Sequence, residues 1–468
     1  MIDPAADPEE LRYPPSFLWG AATSAYQIEG GIDLDGRGPS IWDTFCARPG
    51  AVHGGDSGAV ACDHRNRMPA DVALMAGMGL SAYRFSVAWP RVQPTGAGAV
   101  SQDGLDFYRR LVDELLTHGV EPFLTLYHWD LPQPLQDAGG WPLRDTAQRF
   151  ADYAAVVAAA LGDRVRHWST VNEPWCASML GYAAGVNAPG VVDAGAAVAA
   201  AHHLLLGHGL AVDALRPLVV TDAAIGITLN PYPVVAAGFR DVDLDAVRRV
   251  DGVANRLWYD ALLRGAYPDD VLADFAAVSD LEHIHAGDAE QIARPIDEIG
   301  INYYRRHHVR HRPGESSAPP WSTWPGSPDV ELVQPSVATT KMDWAIEPDG
   351  LGETLLRLQA DYGSMPVYVH ENGAAFDDTP SGDGRVHDED RIAFLGAHLR
   401  ACHRAISAGC DLRGYFVWTL MDNFEWAHGY HYKFGLIRVS PQVLDRVPKA
   451  SAAWYTDVAQ TGRVTTRV

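Results

Sequence analysis

Several features that would point to other classes of protein are scarce in this 468-residue chain. No run of about 18 consecutive apolar residues occurs, so we expect no membrane-spanning helix. Residues 1–15 have neither a basic start nor an apolar stretch, so they do not resemble a secretory signal. Cysteine occurs only five times, at scattered positions, which argues against a disulfide framework and favours reduced thiols in a cytoplasmic protein.

Positive charge is also scarce. Lysine is nearly absent, and 37 Lys and Arg residues face 59 Asp and Glu residues, for a net charge of −22. Such a balance argues against nucleic acid and anionic membrane surfaces as partners. The composition, 47% hydrophobic and 21% charged, is typical of a soluble globular protein with a large core.

Short apolar stretches alternate with amphipathic ones along almost the whole chain. Helical patterns such as 145–161, 194–215 and 389–408 separate eight candidate strands. Repeated strand–helix alternation predicts an α/β protein with a single (β/α)8 TIM barrel, preceded by an N-terminal extension over residues 1–15. A doubly wound sheet is the alternative, but no glycine-rich phosphate turn follows the first strand. The eight candidate strands cover residues 17–22, 82–87, 121–126, 167–171, 224–229, 298–302, 367–370 and 414–420.

Polar, acidic and aromatic residues follow the predicted strand ends, which meet at one face of such a barrel. Glu173 follows the fourth strand and Glu371 the seventh. Two carboxyl groups at one rim, with tryptophans nearby, suit the hydrolysis of a glycosidic bond. Taken singly, each glutamate is more simply interpreted as a solvated charge at a strand end. Residues 304–344, which are rich in Pro, Ser and Trp, are predicted to form a long active-site loop.

Eight segments, in order from about residue 15 to 456, resemble the motifs of glycoside hydrolase family 1. The resemblance implies a retaining β-glycosidase (a β-glucosidase, with β-galactosidase or β-fucosidase activity open) that needs no metal or other cofactor. Its partner would be a small β-glycoside or β-linked oligosaccharide, and homo-oligomer formation stays open. The segments are FLWGAATSAYQIEGG (17–31), GPSIWDTF (38–45), YRFSVAWPRVQP (83–94), LYHWDLPQPL (126–135), VNEPW (171–175), GINYY (300–304), HENG (370–373) and FVWTLMDNFEW (416–426).

The same resemblance implies the catalytic roles. Glu173 matches the general acid/base and Glu371 the nucleophile, with carboxyl groups about 5–5.5 Å apart in a retaining enzyme. Arg84 matches an arginine that keeps the nucleophile ionised, because a neighbouring cation lowers a carboxyl pKa. Tyr304 would bond the nucleophile. The pKa of Glu173 should instead be raised by burial and by the charge on Glu371.

A larger set matches the family's substrate-binding positions, with Trp418 as the stacking platform and Trp344 on the leaving-group side. The set comprises Gln27, His128, Trp129, Asn172, Asn302, Trp344, Trp418, Glu425, Trp426 and Phe434.

The chain departs from the family pattern at His370, where most members have threonine. Strand alternation predicts that His370 points away from Glu371 and packs in a supporting position. Three histidines on the helix at 194–215 (His202, His203, His208) are interpreted as helix packing, and three after the sixth strand (His307, His308, His311) as a solvated loop. A catalytic role for Cys176 is not expected, since no histidine partner is free.

Two alternative functions stay open. The first is a 6-phospho-β-glucosidase, which we disfavour because a Glu425 carboxylate would repel a phosphate dianion. The second is a barrel that binds sugar or protein without catalysis, which the presence of both glutamates disfavours.

Overall fold

Eight parallel strands close into a barrel in the computed structural model, which describes residues 10–312, 322–382, 384–440 and 442–465. The predicted (β/α)8 barrel is confirmed, and most strand ends agree with the prediction to within one or two residues. The strands are β1 (Leu18–Ala22), β2 (Ala82–Ser86), β3 (Glu121–Tyr127), β4 (His167–Asn172), β5 (Ala224–Leu229), β6 (Glu298–Asn302), β7 (Val367–Asn372) and β8 (Leu412–Trp418). β8 pairs with β1 and β6 pairs with β7, which completes the ring.

Helices surround the barrel and lie in the loops at its ends. The α-helices are α1 (Ala25–Ile28), α2 (Ile41–Cys46), α3 (His64–Gly77), α4 (Trp89–Val92), α5 (Gln102–Thr117), α6 (Gln133–Asp137), α7 (Arg144–Leu161), α8 (Ala194–Leu215), α9 (Asp241–Asp251), α10 (Leu257–Leu263), α11 (Asp269–Phe275), α12 (Asp288–Ile292), α13 (Asp349–Tyr362), α14 (Glu389–Ser407) and α15 (Ala450–Thr461). Two π-helical segments, Cys176–Ala183 and Gly252–Arg256, follow β4 and α9.

Local sequence explains several of these boundaries. The Ser101 side chain accepts a hydrogen bond from the Gly104 backbone N–H at 3.1 Å and caps α5. Asp193 caps α8 in the same way, because its side-chain Oδ1 accepts a hydrogen bond from the Ala196 backbone N–H at 3.0 Å. Such caps stabilise a helix by about 1 kcal/mol each. The strands are almost entirely buried, although several carry polar side chains, because helices cover their outer face and side chains fill the barrel.

Helix α8 is long and apolar enough to span a membrane, but by length and composition only. Three histidines interrupt its apolar residues. In the fold, 78% of its most apolar window is buried. It packs against α7 and the segment after β4 as a core helix.

Three smaller sheets accompany the barrel. Glu10–Arg12, within the predicted N-terminal extension, pairs with Arg463–Thr465, which follows α15. Val234–Ala236, His307–His311 and Val330–Leu332 form a three-stranded sheet. Ile437–Val439 pairs with Arg446–Pro448.

The predicted loop over residues 304–344 therefore contains two strands, His307–His311 and Val330–Leu332, while residues 313–321 lie outside the described range. The interpretation of its histidines as a solvated loop is wrong for His307, which is 4% exposed and stacks on Tyr232 at 4.0 Å between ring centroids. Strand pairing places His307 against the core, whereas His308 and His311 are half-buried and contact acidic side chains.

His370 lies inside the barrel below the rim. Its Nδ1 contacts Thr228 Oγ1 at 2.8 Å, and its ring packs against Phe123 and Phe416. A Cβ on Gly300 would lie 2.1 Å from His370 Nδ1, so glycine provides the space for the ring. His370 has the packing role that was expected. The expected reason, regular strand alternation, does not hold, because the register of β7 against β6 shifts next to His370.

Candidate active site

A cavity of about 420 Å³ opens at the carboxyl end of the barrel strands. This volume falls within the range of small-molecule sites. Ten of the fourteen residues singled out from the sequence line it. They are His128, Trp129, Glu173, Tyr304, Trp344, Glu371, Trp418, Glu425, Trp426 and Phe434.

The other four, Gln27, Arg84, Asn172 and Asn302, are almost completely buried and bond to residues around the cavity. Arg84 and Asn302 contact the two glutamates, as described below. Asn172 Nδ2 lies 3.1 Å from His128 Nε2, which joins the end of β4 to the loop after β3. The amide of Gln27 donates to Asn423 Oδ1 at 3.2 Å and to the Phe424 carbonyl at 2.7 Å, so it fixes the loop that carries Glu425.

Glu371 lies at the end of β7 and is 3% exposed. Arg84 Nη1 donates to Glu371 Oε1 at 2.6 Å, and the Tyr304 hydroxyl donates to Oε2 at 2.8 Å. Burial raises the pKa of Glu371, and Arg84 and Tyr304 oppose that rise. Arg84 thus lowers the pKa as expected from the sequence, but burial outweighs it.

Glu173 follows β4 and is 5% exposed. The Asn302 amide donates to Glu173 Oε1 at 2.6 Å, and the Cys176 thiol also hydrogen-bonds the carboxyl group. Burial, together with the negative charge of Glu371, raises the pKa of Glu173 to about 7. This is the direction expected for a group that must carry a proton near neutral pH.

Asn302 connects the two carboxyl groups. Its amide donates to Glu173 Oε1 at 2.6 Å and to Asn172 Oδ1 at 3.2 Å, and the same Asn172 oxygen accepts from Arg84, which bonds Glu371. Both carboxyl groups line the same cavity, and the charge of Glu371 raises the pKa of Glu173. The two glutamates therefore face one shared space.

Glu425 is the third acidic group of the cavity. Burial, with the charges of Glu371 and Glu173, raises its pKa to about 8. Burial likewise lowers the pKa of His128, with a contribution from Arg84. Both side chains are therefore neutral hydrogen-bonding groups at neutral pH.

Three cavity residues have left-handed backbone conformations that side chains seldom adopt: Trp129 (φ 76°), Glu173 (φ 47°) and Trp426 (φ 48°). Each such residue costs free energy and persists only where the surrounding structure holds it. Trp129 is held by a bond from its Nε1 to the Asn172 carbonyl at 2.9 Å and by packing on Trp426. Strain of this kind concentrates at functional sites.

The sequence analysis missed several residues of the outer cavity, which include Trp175, Arg305, His307 and Trp324. Trp175 and Trp324 pack at 5.5 Å between ring centroids and form an aromatic wall. Trp175 follows the Asn-Glu-Pro motif directly, and that position was the available signal. Trp324 had no signal beyond the tryptophan content of the loop.

The histidines of α8 pack as expected. His202 bonds Tyr267 and Asp288, His203 approaches the Trp141 carbonyl at 3.1 Å, and His208 Nδ1 lies 2.7 Å from Thr170 Oγ1. In the described ranges, no group of three or more His, Cys, Asp or Glu residues is arranged to hold a metal ion.

Comparisons with known proteins cover nearly the whole chain. The profile of glycosyl hydrolase family 1 matches residues 9–464. The thermostable β-glucosidase B of Thermobispora bispora is 51% identical over 96% of this chain and 91% of its own length. The bifunctional β-D-glucosidase/β-D-fucosidase of Bifidobacterium breve is 46% identical over 95% of this chain and 97% of its own.

A solved structure shows the same architecture. The β-glucosidase from Thermotoga maritima in complex with deoxynojirimycin superposes with a TM-score of 0.91 at 43% identity, over 96% of this chain and 99% of that one. The match extends over nearly the full length of both proteins, and the identity is far above what fold similarity alone produces. The chain belongs to glycosyl hydrolase family 1.

Proposed function

We propose that this protein is a β-glucosidase that hydrolyses terminal, non-reducing β-D-glucosyl residues with retention of configuration, by double displacement. The observation that carries the proposal is the pair of buried glutamates in one cavity, of which, among the residues that the structure describes, only Glu371 hydrogen-bonds a cationic side chain. The relatives named as β-glucosidases, and one named also as a β-D-fucosidase, support this substrate class.

Glu371 is the proposed nucleophile. Arg84 and Tyr304 each bond one of its oxygens, which favours the ionised form over the protonated one. The ionised carboxylate attacks the anomeric carbon and forms a covalent glycosyl ester. Formation of the ester removes the negative charge that Arg84 and Tyr304 had stabilised.

Glu173 is the proposed acid/base. With a pKa of about 7 it carries the proton that the departing glycosidic oxygen needs. Once Glu371 becomes an ester, its charge no longer raises the pKa of Glu173, so the pKa falls. Glu173 then accepts a proton from the water that hydrolyses the ester.

Both glutamates line the same cavity, as retention requires. The proposal expects carboxyl groups ~5–5.5 Å apart, as in retaining enzymes, rather than the ~6.5–9.5 Å of inverting ones. An inverting enzyme needs that extra distance to admit a water molecule between its carboxylate and the sugar.

The inner cavity is proposed to bind the glucosyl unit. Trp418 offers an aromatic face to the ring, and His128 and Glu425 offer polar atoms for the hydroxyls. Since the pKa of Glu425 is raised to about 8, its carboxyl group can both donate and accept. Asn172, Asn302 and Gln27 would act mainly by positioning these groups, because their amides already bond to protein atoms.

The outer cavity is proposed to hold the leaving group. Trp344 packs against Tyr304 and Phe434, Trp175 packs against Trp324, and all of them line the cavity. These aromatic side chains suit aryl groups and further β-linked sugars.

The 6-phospho-β-glucosidase alternative gains no support from the relatives. The reason given against it from the sequence needs correction, however, because a Glu425 with a pKa of about 8 is mostly uncharged at neutral pH and repels a phosphate less than assumed. Direct comparison of substrates is therefore the decisive measurement. The non-catalytic alternative also gains no support, since both glutamates occupy the cavity.

The test is hydrolysis of 4-nitrophenyl β-D-glucoside and its 6-phosphate by the purified protein, with ¹H NMR detection of the first-formed anomer. We expect faster turnover of the unphosphorylated substrate and β-glucose as the first product. Faster turnover of the 6-phosphate would show that 6-phospho-β-glucosides are the preferred substrates instead. First-formed α-glucose would exclude retention.

A cytoplasmic location is also proposed, on the basis of five free cysteines within the described residues, four of them buried. The division of the chain into an extension over residues 1–15 and a barrel from residue 16 remains a proposal, as does any homo-oligomer.

A further inference from the structure

A second cavity of about 220 Å³ lies beside the first, between the segment after β5 and helices α10 and α13. Tyr232 lines both cavities, and the remaining residues of the second cavity take no part in the first. Asn255 holds the Tyr232 backbone through bonds of 2.9 Å and 2.7 Å, so the wall between the two spaces is rigid.

A buried polar group in this cavity has no partner. Tyr259 on α10 is 6% exposed, and its hydroxyl makes no hydrogen bond to any described part of the protein. Its ring lies 5.3 Å from that of Tyr362, between centroids. Buried hydroxyls are normally satisfied, so the Tyr259 hydroxyl is suited to bond a molecule that enters the cavity.

The charged groups around the cavity are already paired. Arg357 uses its guanidinium nitrogens on Asp251 and Asp361. Glu353 pairs with Arg306, and the Tyr362 hydroxyl donates to Asp260 Oδ1 at 2.6 Å. An ionic ligand would therefore find no unpaired counter-charge, which favours a neutral one.

The remaining walls are apolar faces. Tyr232, Tyr259 and Tyr362 contribute rings, and Pro231, Pro233 and Leu358 contribute aliphatic surface. Aromatic and aliphatic surface with a hydroxyl group matches a molecule that has both C–H faces and hydroxyls. The volume lies below the ~300–1,000 Å³ of sites for drug-sized ligands, so the occupant is a small one.

We propose that this cavity is a second binding site, distinct from the catalytic one, for a neutral polyhydroxylated molecule the size of one sugar ring. The unpaired Tyr259 hydroxyl bonds the ligand, and the tyrosine and proline surface contacts its C–H faces. The site does not depend on hydrolysis at the first cavity.

The test uses D-glucose as the probe and saturation-transfer NMR as the readout. The catalytic cavity is first filled with deoxynojirimycin, at a concentration just sufficient to saturate its own binding isotherm. We expect D-glucose still to bind saturably to the wild-type protein. D-Gluconate, which is of similar size but anionic, should bind at least tenfold more weakly.

Two variants locate the binding. Thr354→Met places a larger side chain on the cavity wall and should weaken D-glucose binding at least tenfold. Tyr259→Phe removes only the hydroxyl and should weaken it about 3- to 10-fold, as expected for one neutral hydrogen bond. Tyr455→Phe, which removes a buried hydroxyl bonded to the Gly20 carbonyl from a residue that lines neither cavity, is the control and should bind as the wild type does. Each variant must show a single cooperative thermal transition.

Absence of D-glucose binding with the catalytic cavity filled would overturn the proposal. Binding that is unchanged in both Thr354→Met and Tyr259→Phe would overturn it as well. These outcomes are independent of the proposed activity, because a protein that hydrolyses β-glucosides but fails this test contradicts only the second site.

Discussion

The ends of β4 and β7 present the same chemical group in two different environments. Glu173 and Glu371 are 5% and 3% exposed, so burial acts on both. The Glu371 carboxyl group accepts hydrogen bonds from the Arg84 guanidinium and the Tyr304 hydroxyl. The Glu173 carboxyl group instead bonds the Asn302 amide and the Cys176 thiol. Two carboxyl groups with similar burial therefore have different neighbours, and in the proposed mechanism that difference allows Glu371 to attack while Glu173 holds a proton.

Removal of the proposed nucleophile should have the largest effect. We expect Glu371→Ala to lower kcat by roughly 10⁶-fold, the scale found when a covalent nucleophile is deleted. Added azide should restore turnover and give an α-glucosyl azide, identified by NMR. A β-glucosyl azide from this variant would mean that the two roles are reversed.

Removal of the proposed acid/base should have a smaller effect that depends on the substrate. We expect Glu173→Ala to lower turnover of alkyl β-glucosides by about 10²–10⁴-fold, since proton donation contributes that much. Dinitrophenyl β-glucoside, which leaves without protonation, should form the glycosyl-enzyme at a nearly normal rate. Azide should then yield the β-azide. Equal losses on both substrates would contradict the assignment.

Two adjacent tyrosines offer a finer comparison. Tyr304 bonds Glu371, whereas the Tyr303 hydroxyl bonds the Glu347 carbonyl at 2.6 Å. Tyr304→Phe should lower kcat/KM by about 10–100-fold, the equivalent of one hydrogen bond to a charged group. Loss of that bond raises the pKa of Glu371, so the acidic limb of the pH–rate profile should move to higher pH. Tyr303→Phe is the control, and an equal shift in it would show that the effect is only structural.

The smallest expected effect is on stability. The pKa of Glu173 is raised to about 7 in the folded protein. Because this pKa is raised on folding, the contribution of the Glu173 carboxyl group to the stability of the fold is complete below the unfolded-state pKa of ~4.3. The contribution is lost as the pH rises through 7. Glu173→Gln, which never ionises, should therefore gain roughly 1–3 kcal/mol over the wild type at pH 8. In thermal melts the difference should vanish near pH 4, and a gain of the same size at both pH values would contradict this cause.

Much of the fold could be predicted from short stretches of the sequence. The strands β5 and β6 and the helix α8 were predicted with the bounds that the structure has, because β-branched or alanine-rich stretches lie between clear turn residues. Small errors occur where a strand continues into functional residues. β7 extends through Glu371 and Asn372, and its register shifts next to His370 against both neighbouring strands, which no sequence pattern had indicated.

Most residues of the candidate site could be predicted from the sequence, but not all of the contacts between them. Ten predicted residues line the cavity because strand ends converge at one face of any such barrel. The aromatic wall of Trp175 and Trp324 joins segments about 150 positions apart, and no local pattern indicates that contact. The burial of His307 was missed for the same reason.

The order of strands and helices, and the two glutamates proposed as catalytic, followed from the amino-acid sequence, since both depend on local patterns and short motifs. The resemblance that those motifs carry also implied Arg84 beside Glu371. The tertiary structure alone decided that burial raises the pKa of Glu371 despite Arg84, that the pKa of Glu425 is raised, and that the Tyr259 hydroxyl faces a second cavity without a partner among the described residues. These properties depend on burial and on distances between residues far apart in the chain, and a carboxyl or hydroxyl group changes its behaviour with its neighbours rather than with its position in the sequence.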